Sequence, residues 1–315
     1  DAARRDFTVN AMYYDPSSNC IIDYYQGLKD IKNKKIRFIG DPKTRIIEDP
    51  VRMLRAIRIA NKLNFKIDNN LKNLLKPMSN LLADIPAARL LEEYQKIFLS
   101  GKGCQNFKDL REYGLMQHFF PLVEKHLKKS PDLINYFYKA CNNTDKRINK
   151  SLGINPAFLI SIFLWSEFKE QLISIYKNIP KMPKQEAAVN AIDKTLRIQR
   201  ETVTLTQRIS QHVKEIWLLQ YDLEKCNDKT TKEVASHPRF RAAYDFLIMR
   251  QGIDGVAQKS IDFWRPHQAA TEQSRQHKYN RNNRFKRRSN MKPDQTSRQN
   301  PGRSHDSKHQ KKPNN

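Results

Sequence analysis

The sequence has few cysteines, and it lacks the short motifs that hold a metal ion or a nucleotide in many common enzyme folds. Its 4 cysteines lie far apart and form no Cys-x-x-Cys pair, so neither a zinc site nor a disulfide framework is indicated, and a reducing cytoplasm is favoured. Neither Gly-x-Gly-x-x-Gly nor Gly-Lys-Ser/Thr occurs, which leaves Rossmann and P-loop folds without support. His305 and His309 have metal-ligand spacing but lie in a segment without a helical pattern, so a metal hydrolase is not supported either.

Long apolar runs are also missing. The longest strongly apolar stretch, AFLISIFLW at 157–165, is far shorter than the roughly 20 residues that a membrane-spanning helix needs, and no signal peptide opens the chain. We therefore predict a soluble protein with no membrane partner. The 38% hydrophobic content of 315 residues is sufficient for a sizeable core and suggests about two domains.

Acidic residues are too few to balance the basic ones. The chain has 58 Lys and Arg against 33 Asp and Glu, which gives a formal net charge of +25. Such an excess favours a polyanionic partner, nucleic acid before an anionic membrane surface. The chain also begins at Asp1 and enters a patterned segment at once, so we expect that its beginning has been lost.

The first 39 residues have strand-like patterns. FTVNAMYY alternates polar and apolar residues, DPSSN supplies a turn, and CIIDYY and KKIRFIG are further strand candidates. These patterns predict a hairpin and one more strand. The intervening QGLKDIKNK predicts a loop or a short helical turn.

From Asp49 onward the patterns are helical. Asp49 can cap a helix and Pro50 suits its first position. Apolar residues then recur at helical spacing, with further starts near Asp68, Pro86, Asn106, Pro131 and Asn155, long helices over 185–225 and a final one from His237. We predict an all-α region from 49 to about 265, and hence a mainly α protein.

The C-terminal segment 269–315 is basic and almost free of aliphatic residues. It contains 13 Lys and Arg against 3 acidic residues, a net charge of +10. Such a composition cannot offset the entropy of ordering, so we predict a disordered tail that contacts RNA phosphates. The candidate RNA-binding residues are Arg281, Arg284, Lys286, Arg287 and Arg288. A purely solubilising tail is the alternative.

The helix DPVRMLRAIRIANKL carries the most specific pattern. A step of three residues turns a helix by about 300°, so Arg52, Arg55 and Arg58 form a slanting stripe over about 120° of its surface. Few carboxylates stand nearby in sequence, so a triphosphate or an RNA backbone is the expected counter-anion, and Asp49 could accept from a base edge. A solvated face paired with Glu48 and Asp49 is the alternative.

Two further charged patterns are less specific. If RRDFTVNA is a strand, Asp6, Thr8 and Asn10 share one polar face that could line a cleft or simply face solvent at a sheet edge. In PAARLLEEYQK, the spacing of Arg89, Glu92, Glu93 and Lys96 favours ion pairs within one helix. We therefore expect a surface role for the second pattern.

RRDFTVNAMYY followed by EDPVRMLRAIRIANKLNF resembles the paired signature of the class II nucleotidyltransferases, which include CCA-adding enzymes and bacterial poly(A) polymerases. Residues 143–165, residues 237–250 and the basic tail resemble the poly(A) polymerase branch. The resemblance implies a remnant of an α+β nucleotidyltransferase head at 1–48, a nucleotide-reading helical neck at 49–115, an RNA-binding helical body at 116–268 and the tail at 269–315.

The resemblance also implies roles for individual residues. Arg5 matches a residue that meets the ribose and triphosphate, and Asp6 matches an active-site aspartate that helps to select a ribonucleotide. Asp49 and Arg52 match the pair that reads the base edge. The remaining two arginines of the helix, Arg55 and Arg58, match further nucleotide-binding residues.

The implied reaction transfers AMP from ATP to an RNA 3′ end with Mg²⁺, in the RNA processing and turnover of the cytoplasm. The family's metal-binding Asp-x-Asp and its Gly-Ser loop precede the RRD motif, and neither occurs in these 315 residues. We therefore expect the chain alone to bind RNA, and ATP weakly, without polymerising. We further expect a monomer that can meet RNA-decay machinery. A CCA-adding enzyme and a non-catalytic RNA-binding protein are the alternatives.

Overall fold

The computed structural model of this chain describes residues 1–268, which are mainly helical. The helices are α1 (Gly27–Lys32), α2 (Pro42–Glu48), α3 (Val51–Leu63), α4 (Asn69–Leu75), α5 (Ala87–Phe98), α6 (Gly103–Glu112), α7 (Met116–Phe119), α8 (Pro121–Lys129), α9 (Leu133–Asn149), α10 (Ala157–Asn178), α11 (Lys184–Arg200), α12 (Gln207–Lys225), α13 (Thr231–Ser236), α14 (Phe240–Asp254) and α15 (258–268). The strands are β1 (Met12–Asp15), β2 (Cys20–Asp23), β3 (Lys35–Ile36) and β4 (Lys66–Ile67). The mainly α fold class is confirmed. The predicted RNA-binding residues Arg281, Arg284, Lys286, Arg287 and Arg288 lie outside the described residues.

The predicted hairpin is confirmed, but the strand predicted over FTVNAMYY begins later than expected. β1 and β2 pair antiparallel, with Met12 opposite Asp23. Before them the chain forms two 3-10 turns, Ala2–Arg4 and Thr8–Asn10. In the second turn the side chain of Thr8 is buried, and its hydroxyl donates to Asp30 at 2.6 Å. The expectation that Asp6, Thr8 and Asn10 share one strand face is therefore wrong.

The helical starts predicted from capping residues are largely confirmed. Asp68 accepts from the backbone N–H of Asn70 at the start of α4. Asp49 Oδ1 accepts from the N–H of Val51 at 3.2 Å, at the start of α3. The sequence patterns did not predict α2, although Asp41 caps it through the N–H of Thr44 at 2.8 Å.

One short strand interrupts the region predicted to be all-α. β4 follows α3 and pairs in parallel with β3, so residues on both sides of position 49 share a two-stranded sheet. The chain can turn from α3 into β4 because Asn64, which ends the helix, has a left-handed backbone with φ of 54°. This pairing fixes the C-terminal end of α3 against the N-terminal segment.

Helix α10 lies at the centre of the main core. Its residue Phe163 is 1% exposed and has four aromatic rings around it. The ring centroids of Phe98, Phe107, Phe120 and Phe137 lie 5.5, 5.7, 5.1 and 5.5 Å from that of Phe163. These rings come from α5, α6, α9 and the start of α8, so one side chain contacts four other parts of the chain, the most distant of which lies 65 residues before it.

Within residues 1–268, none of the helices combines the length and the apolar character required to cross a membrane. All four cysteines lie in this part of the chain, and each is a free thiol.

Glu167 of α10 is a buried carboxylate in a polar contact with α8. Its Oε2 accepts from Lys125 Nζ at 2.8 Å and lies 2.9 Å from His126 Nε2, and its Oε1 accepts from Gln171 at 2.6 Å. Burial raises the pKa of Glu167, but the hydrogen bonds from His126, Lys125 and Gln171 outweigh it and lower the pKa from 4.5 to about 2. The carboxylate is therefore charged in the folded protein.

We predict that Glu167 makes the protein sensitive to acid. Because the folded pKa lies below the ordinary value of 4.5, the stabilisation is present above pH 4.5 and is lost as the pH falls towards 2. Urea unfolding at pH 7 and pH 3 should show that wild type loses about 2 kcal/mol more than Glu167→Gln over this interval. Glu186→Gln, at an exposed position of α11, should lose as much as wild type. An equal loss in wild type and Glu167→Gln would contradict this assignment.

Candidate functional site

The N-terminal segment and α3 meet through one carboxylate that lies between two arginines. Asp6 Oδ1 accepts from Arg52 Nε at 2.9 Å, and Asp6 Oδ2 accepts from Arg55 Nη1 at 2.8 Å. The three side chains are 17%, 13% and 30% exposed. Three of the residues that the sequence singled out are thus in direct contact, although 46 residues separate Asp6 from Arg52 along the chain.

Helix α2 supplies a second carboxylate to Arg52. Arg52 Nη1 donates to Glu48 Oε2 at 2.7 Å and to the carbonyl of Arg45 at 2.8 Å. Arg45 also donates to Glu48 at 2.9 Å and to the carbonyl of Arg5 at 2.9 Å. The backbone of Arg5 is thereby tied to α2, while its half-exposed side chain pairs with Asp1 at 3.2 Å.

The other end of the arginine stripe faces a buried carboxylate of α5. Glu93 has a side chain that is 2% exposed, and its Oε1 and Oε2 lie 3.7 and 3.8 Å from the Nε atoms of Arg55 and Arg58. Lys96 donates to Glu93 Oε1 at 3.0 Å. Among residues 1–268, Arg58 Nε and Glu93 Oε2 are buried with no hydrogen-bond partner. The contact between these two residues is therefore an ion pair without a direct hydrogen bond, and 23% of the Arg58 side chain remains exposed.

The carboxylate of Asp49 accepts hydrogen bonds from both α3 and α5. In addition to the N–H of Val51, it accepts from Arg89 Nη2 of α5 at 2.6 Å. The Asp49 side chain is 16% exposed and that of Arg89 is 40% exposed. The carboxylate that the sequence assigned to a base edge is thus oriented by α3 and α5 together.

The expectation that the arginine stripe has few carboxylates to meet it is wrong. Asp6, Glu48 and Glu93 each lie within 4 Å of at least one stripe arginine. Two of the three come from distant parts of the chain, so sequence neighbours could not reveal them. Ion pairs within the protein neutralise much of the stripe.

The ion pairs predicted within α5 form only in part. Lys96 pairs with Glu92 at 3.6 Å and with Glu93 at 3.0 Å, as expected. Arg89 pairs with Asp49 at the start of α3, and Glu93 also faces α3, which the spacing of charges within α5 does not predict. Glu93 lies three residues after Leu90 and four before Ile97, both of which are buried, so the apolar face of α5 does indicate that Glu93 points inward.

The arginines of the site are charged. Burial lowers the pKa of Arg52, but hydrogen bonds to Glu48 and Asp6 outweigh it, and the pKa is raised. Burial also lowers the pKa of Arg55, but the hydrogen bond to Asp6 and the charge of Asp6 outweigh it, and the pKa is raised. The hydrogen bond from Arg52 lowers the pKa of Glu48. The site is thus a network of paired charges.

Asp6 and Asp49 do not fit a magnesium ion, because their carboxylate oxygens already accept hydrogen bonds from other groups of the protein. Both oxygens of Asp6 accept from arginines, and the Asp49 oxygens accept from Val51 and Arg89. Within the described residues, the one cluster with the spacing of a metal site is His126, Glu167 and Glu170, where the ammonium of Lys125 lies 2.8 Å from Glu167 and 3.1 Å from Glu170.

Three family profiles match the chain. A profile for the poly(A) polymerase head domain matches residues 1–37, one for a probable RNA- and SrmB-binding site of polymerase A matches residues 64–127, and one for the arginine-rich C-terminus of polymerase A matches residues 180–304.

Individual relatives cover most of the chain. It is 37% identical to poly(A) polymerase I of Haemophilus influenzae over 266 residues, which are 84% of this chain and 59% of that protein. It is 35% identical to poly(A) polymerase I of Escherichia coli O6:H1 over 268 residues, 84% of this chain and 57% of that protein. A CCA-adding enzyme of Pediococcus pentosaceus is 34% identical over 159 residues, 50% of this chain and 40% of that enzyme. The chain thus spans less than two thirds of the length of the poly(A) polymerases that it matches.

Solved structures are similar at a lower level. The Bacillus stearothermophilus CCA-adding enzyme in complex with CTP aligns over 86% of this chain and 59% of that chain, with a TM-score of 0.48 and 21% identity. A tRNA nucleotidyltransferase complexed with a primer tRNA and an incoming ATP analog aligns over 88% of this chain and 73% of that chain, also with a TM-score of 0.48 and 21% identity.

Proposed function

The chain belongs to the bacterial poly(A) polymerase family, and from this premise we propose that it forms the larger part of an enzyme that transfers AMP from ATP to the 3′ end of RNA. The observation that carries the proposal is the contact of Asp6 with Arg52 and Arg55, which joins the two motifs of the family in one charged site. In the proposed reaction the RNA 3′-hydroxyl oxygen attacks the α-phosphorus of ATP. The bond from the α-phosphorus to the bridging oxygen breaks, and pyrophosphate leaves.

We assign the residues of the site to binding and charge neutralisation. Arg55 and Arg58 would receive the phosphates, since guanidinium groups bind phosphate oxygens by paired charge-assisted hydrogen bonds. Asp49 and Arg52 would read the edge of the adenine. Arg5, half-exposed beside them, would meet the ribose and triphosphate.

Asp6 would act within this site by holding Arg52 and Arg55. Any part in the choice of a ribonucleotide would then depend on the placement of those two arginines. Mg²⁺ would be bound mainly by residues outside these 315, because the carboxylates near the arginines already accept from arginine and backbone donors.

We propose RNA as the second substrate, bound by the helical body and the basic tail. The net charge of +25, of which the tail supplies +10, favours salt-sensitive contact with phosphates. The division into head remnant 1–48, neck 49–115, body 116–268 and tail 269–315 is part of the same proposal. We also propose that the enzyme is cytoplasmic and monomeric, and that it interacts with RNA-decay machinery in mRNA turnover.

Deletion of residues 269–315 should weaken RNA binding for all sequences and reduce its salt dependence. Each phosphate contact with single-stranded RNA contributes about −0.7 to the slope of log K against log salt, so losing several contacts flattens the slope measurably. Fluorescence anisotropy with a labelled oligonucleotide at 50 to 300 mM salt measures both quantities. An unchanged slope would assign the tail to solubility instead. A variant with Arg281, Arg284, Lys286, Arg287 and Arg288 changed to glutamine should reproduce much of the effect.

The nucleotide choice of the full-length gene product tests the proposed function. With an RNA primer and Mg²⁺, we expect extension by ATP and little by CTP. Incorporation of CMP into tRNA lacking its CCA end would establish the CCA-adding alternative. Binding of RNA without any nucleotide transfer would support a non-catalytic RNA-binding protein. The 315 residues alone should bind RNA but extend no primer, and robust tailing by them would contradict our assignment of the metal site to other residues.

A further inference from the structure

Glu93 is a buried charge in a position that the catalytic proposal does not use. Its side chain is 2% exposed, although glutamate is rarely buried unless it is paired. Its neighbour Glu92, by contrast, is 71% exposed. A carboxylate with three cations around it, Arg55, Arg58 and Lys96, is well compensated in charge. Its hydrogen bonds are fewer, since among residues 1–268 the one group that donates to Glu93 is the ammonium of Lys96.

The distances leave the guanidinium groups incompletely bound. At 3.7 and 3.8 Å, the contacts from Glu93 to Arg55 and Arg58 are too long for direct hydrogen bonds but close enough for strong attraction. Arg58 has no other ion pair among the described residues, and its Nε is buried without a partner. Arg55 and Arg58 are 30% and 23% exposed, so parts of both remain open to solvent while Glu93 contacts them from the protein interior.

We propose that Glu93 is a positioning residue that fixes Arg55 and Arg58 from behind, so that their exposed donors meet the phosphates of the nucleotide. This inference rests on the proposed function, because it assigns a partner to that same arginine stripe. Glu93 touches no substrate in this account. It acts by limiting where two long, flexible side chains can lie before the nucleotide arrives.

A different role for Glu93, simple relief of repulsion among the arginines, predicts the opposite effect on affinity. If Glu93 only neutralised charge, its removal would make the stripe more positive and would strengthen the binding of any polyphosphate. If it positions the arginines, its removal lets them move, and binding weakens despite the added positive charge. The sign of the change therefore separates the two roles.

The test is equilibrium binding of ATP and of inorganic tripolyphosphate to the 315-residue chain. Glu93→Gln keeps the size of the side chain and removes its charge. Glu92→Gln is the matched control, since it changes the same net charge one residue away at an exposed site. We expect Glu93→Gln to weaken both probes by about tenfold, and Glu92→Gln to change neither by more than about twofold. Because tripolyphosphate has no base, a parallel loss on both probes assigns the effect to the phosphate-binding arginines.

The outcomes separate this inference from the proposed function. If wild type binds ATP and Glu93→Gln binds both probes as tightly or more tightly, the positioning role is wrong and the nucleotide site stands. If wild type binds neither probe, the proposed function fails, and the inference fails with it. Thermal unfolding of each variant shows whether it is folded at the binding temperature. If Glu93→Gln does not fold, Glu93→Asp replaces it, because the shorter side chain keeps the charge but moves it away from the arginines. If Glu93 acts through Arg58, Glu93→Gln should weaken the binding of ATP and tripolyphosphate less in an Arg58→Gln background than in wild type.

Discussion

Asp6→Asn is expected to lower the free energy of unfolding by about 2–3 kcal/mol and to weaken ATP binding. The carboxylate is 17% exposed and bonds Arg52 and Arg55 at 2.9 and 2.8 Å. Its replacement leaves two partly buried guanidinium groups with one charged partner fewer, and breaking a fully buried pair costs roughly 3–5 kcal/mol, which partial exposure reduces. Urea unfolding at pH 7 measures the first effect, and equilibrium titration with ATP measures the second.

An exposed ion pair provides the control for this prediction. Asp193 is 63% exposed and lies 3.7 Å from Lys214, so Asp193→Asn should change the free energy of unfolding by no more than about 0.5 kcal/mol. If Asp6→Asn is as mild as Asp193→Asn, the contact between the N-terminal segment and α3 does not hold the site together. A loss of stability without any loss of ATP affinity would give Asp6 a purely structural role.

Phe163→Ala should be the most destabilising of the substitutions considered, by about 4 kcal/mol. The side chain is 1% exposed, and four ring centroids lie within 5.7 Å of its own. Alanine removes the ring and leaves a cavity that rigid aromatic neighbours cannot fill. Chemical denaturation followed by circular dichroism measures the loss.

Two further substitutions calibrate the effect of Phe163→Ala. Phe163→Leu retains much of the apolar volume and should cost about 1–2 kcal/mol. Tyr24→Ala, at a side chain that is 68% exposed, should cost less than about 0.5 kcal/mol. A similar cost for Phe163→Ala and Tyr24→Ala would mean that α10 is not the centre of the core.

Much of the helical architecture could be predicted from local sequence, because caps and apolar periods act over only a few residues. Asp68 and Asn155 mark the helix starts that the patterns indicated. Residues 2–10 could not be predicted in this way. There an apparent alternation of polar and apolar residues gives way to two 3-10 turns, and Thr8 in the second turn donates to the buried Asp30, 22 residues away.

The sequence could predict the arginines of the candidate site but not most of the carboxylates that pair with them. The spacing of Arg52, Arg55 and Arg58 is a property of a single helix, and the sequence therefore predicts the stripe. Two of its counter-charges are a tertiary property, since Asp6 lies 49 residues before Arg55 and Glu93 lies 38 residues after it. A pattern within one segment cannot report such a contact, and this is why the shortage of nearby carboxylates was misleading.

The most direct test of the account compares ATP and RNA affinities in Arg52→Ala, because α3 is assigned to the nucleotide and the basic tail to RNA. We expect ATP affinity to fall by at least about tenfold, while RNA affinity at fixed salt stays within about twofold of wild type. Arg197→Ala, at an exposed position of α11 and with the same change of charge, should leave ATP affinity unchanged. Equal losses of ATP and RNA affinity in Arg52→Ala would place α3 on the RNA path and contradict the nucleotide-reading site proposed for this chain.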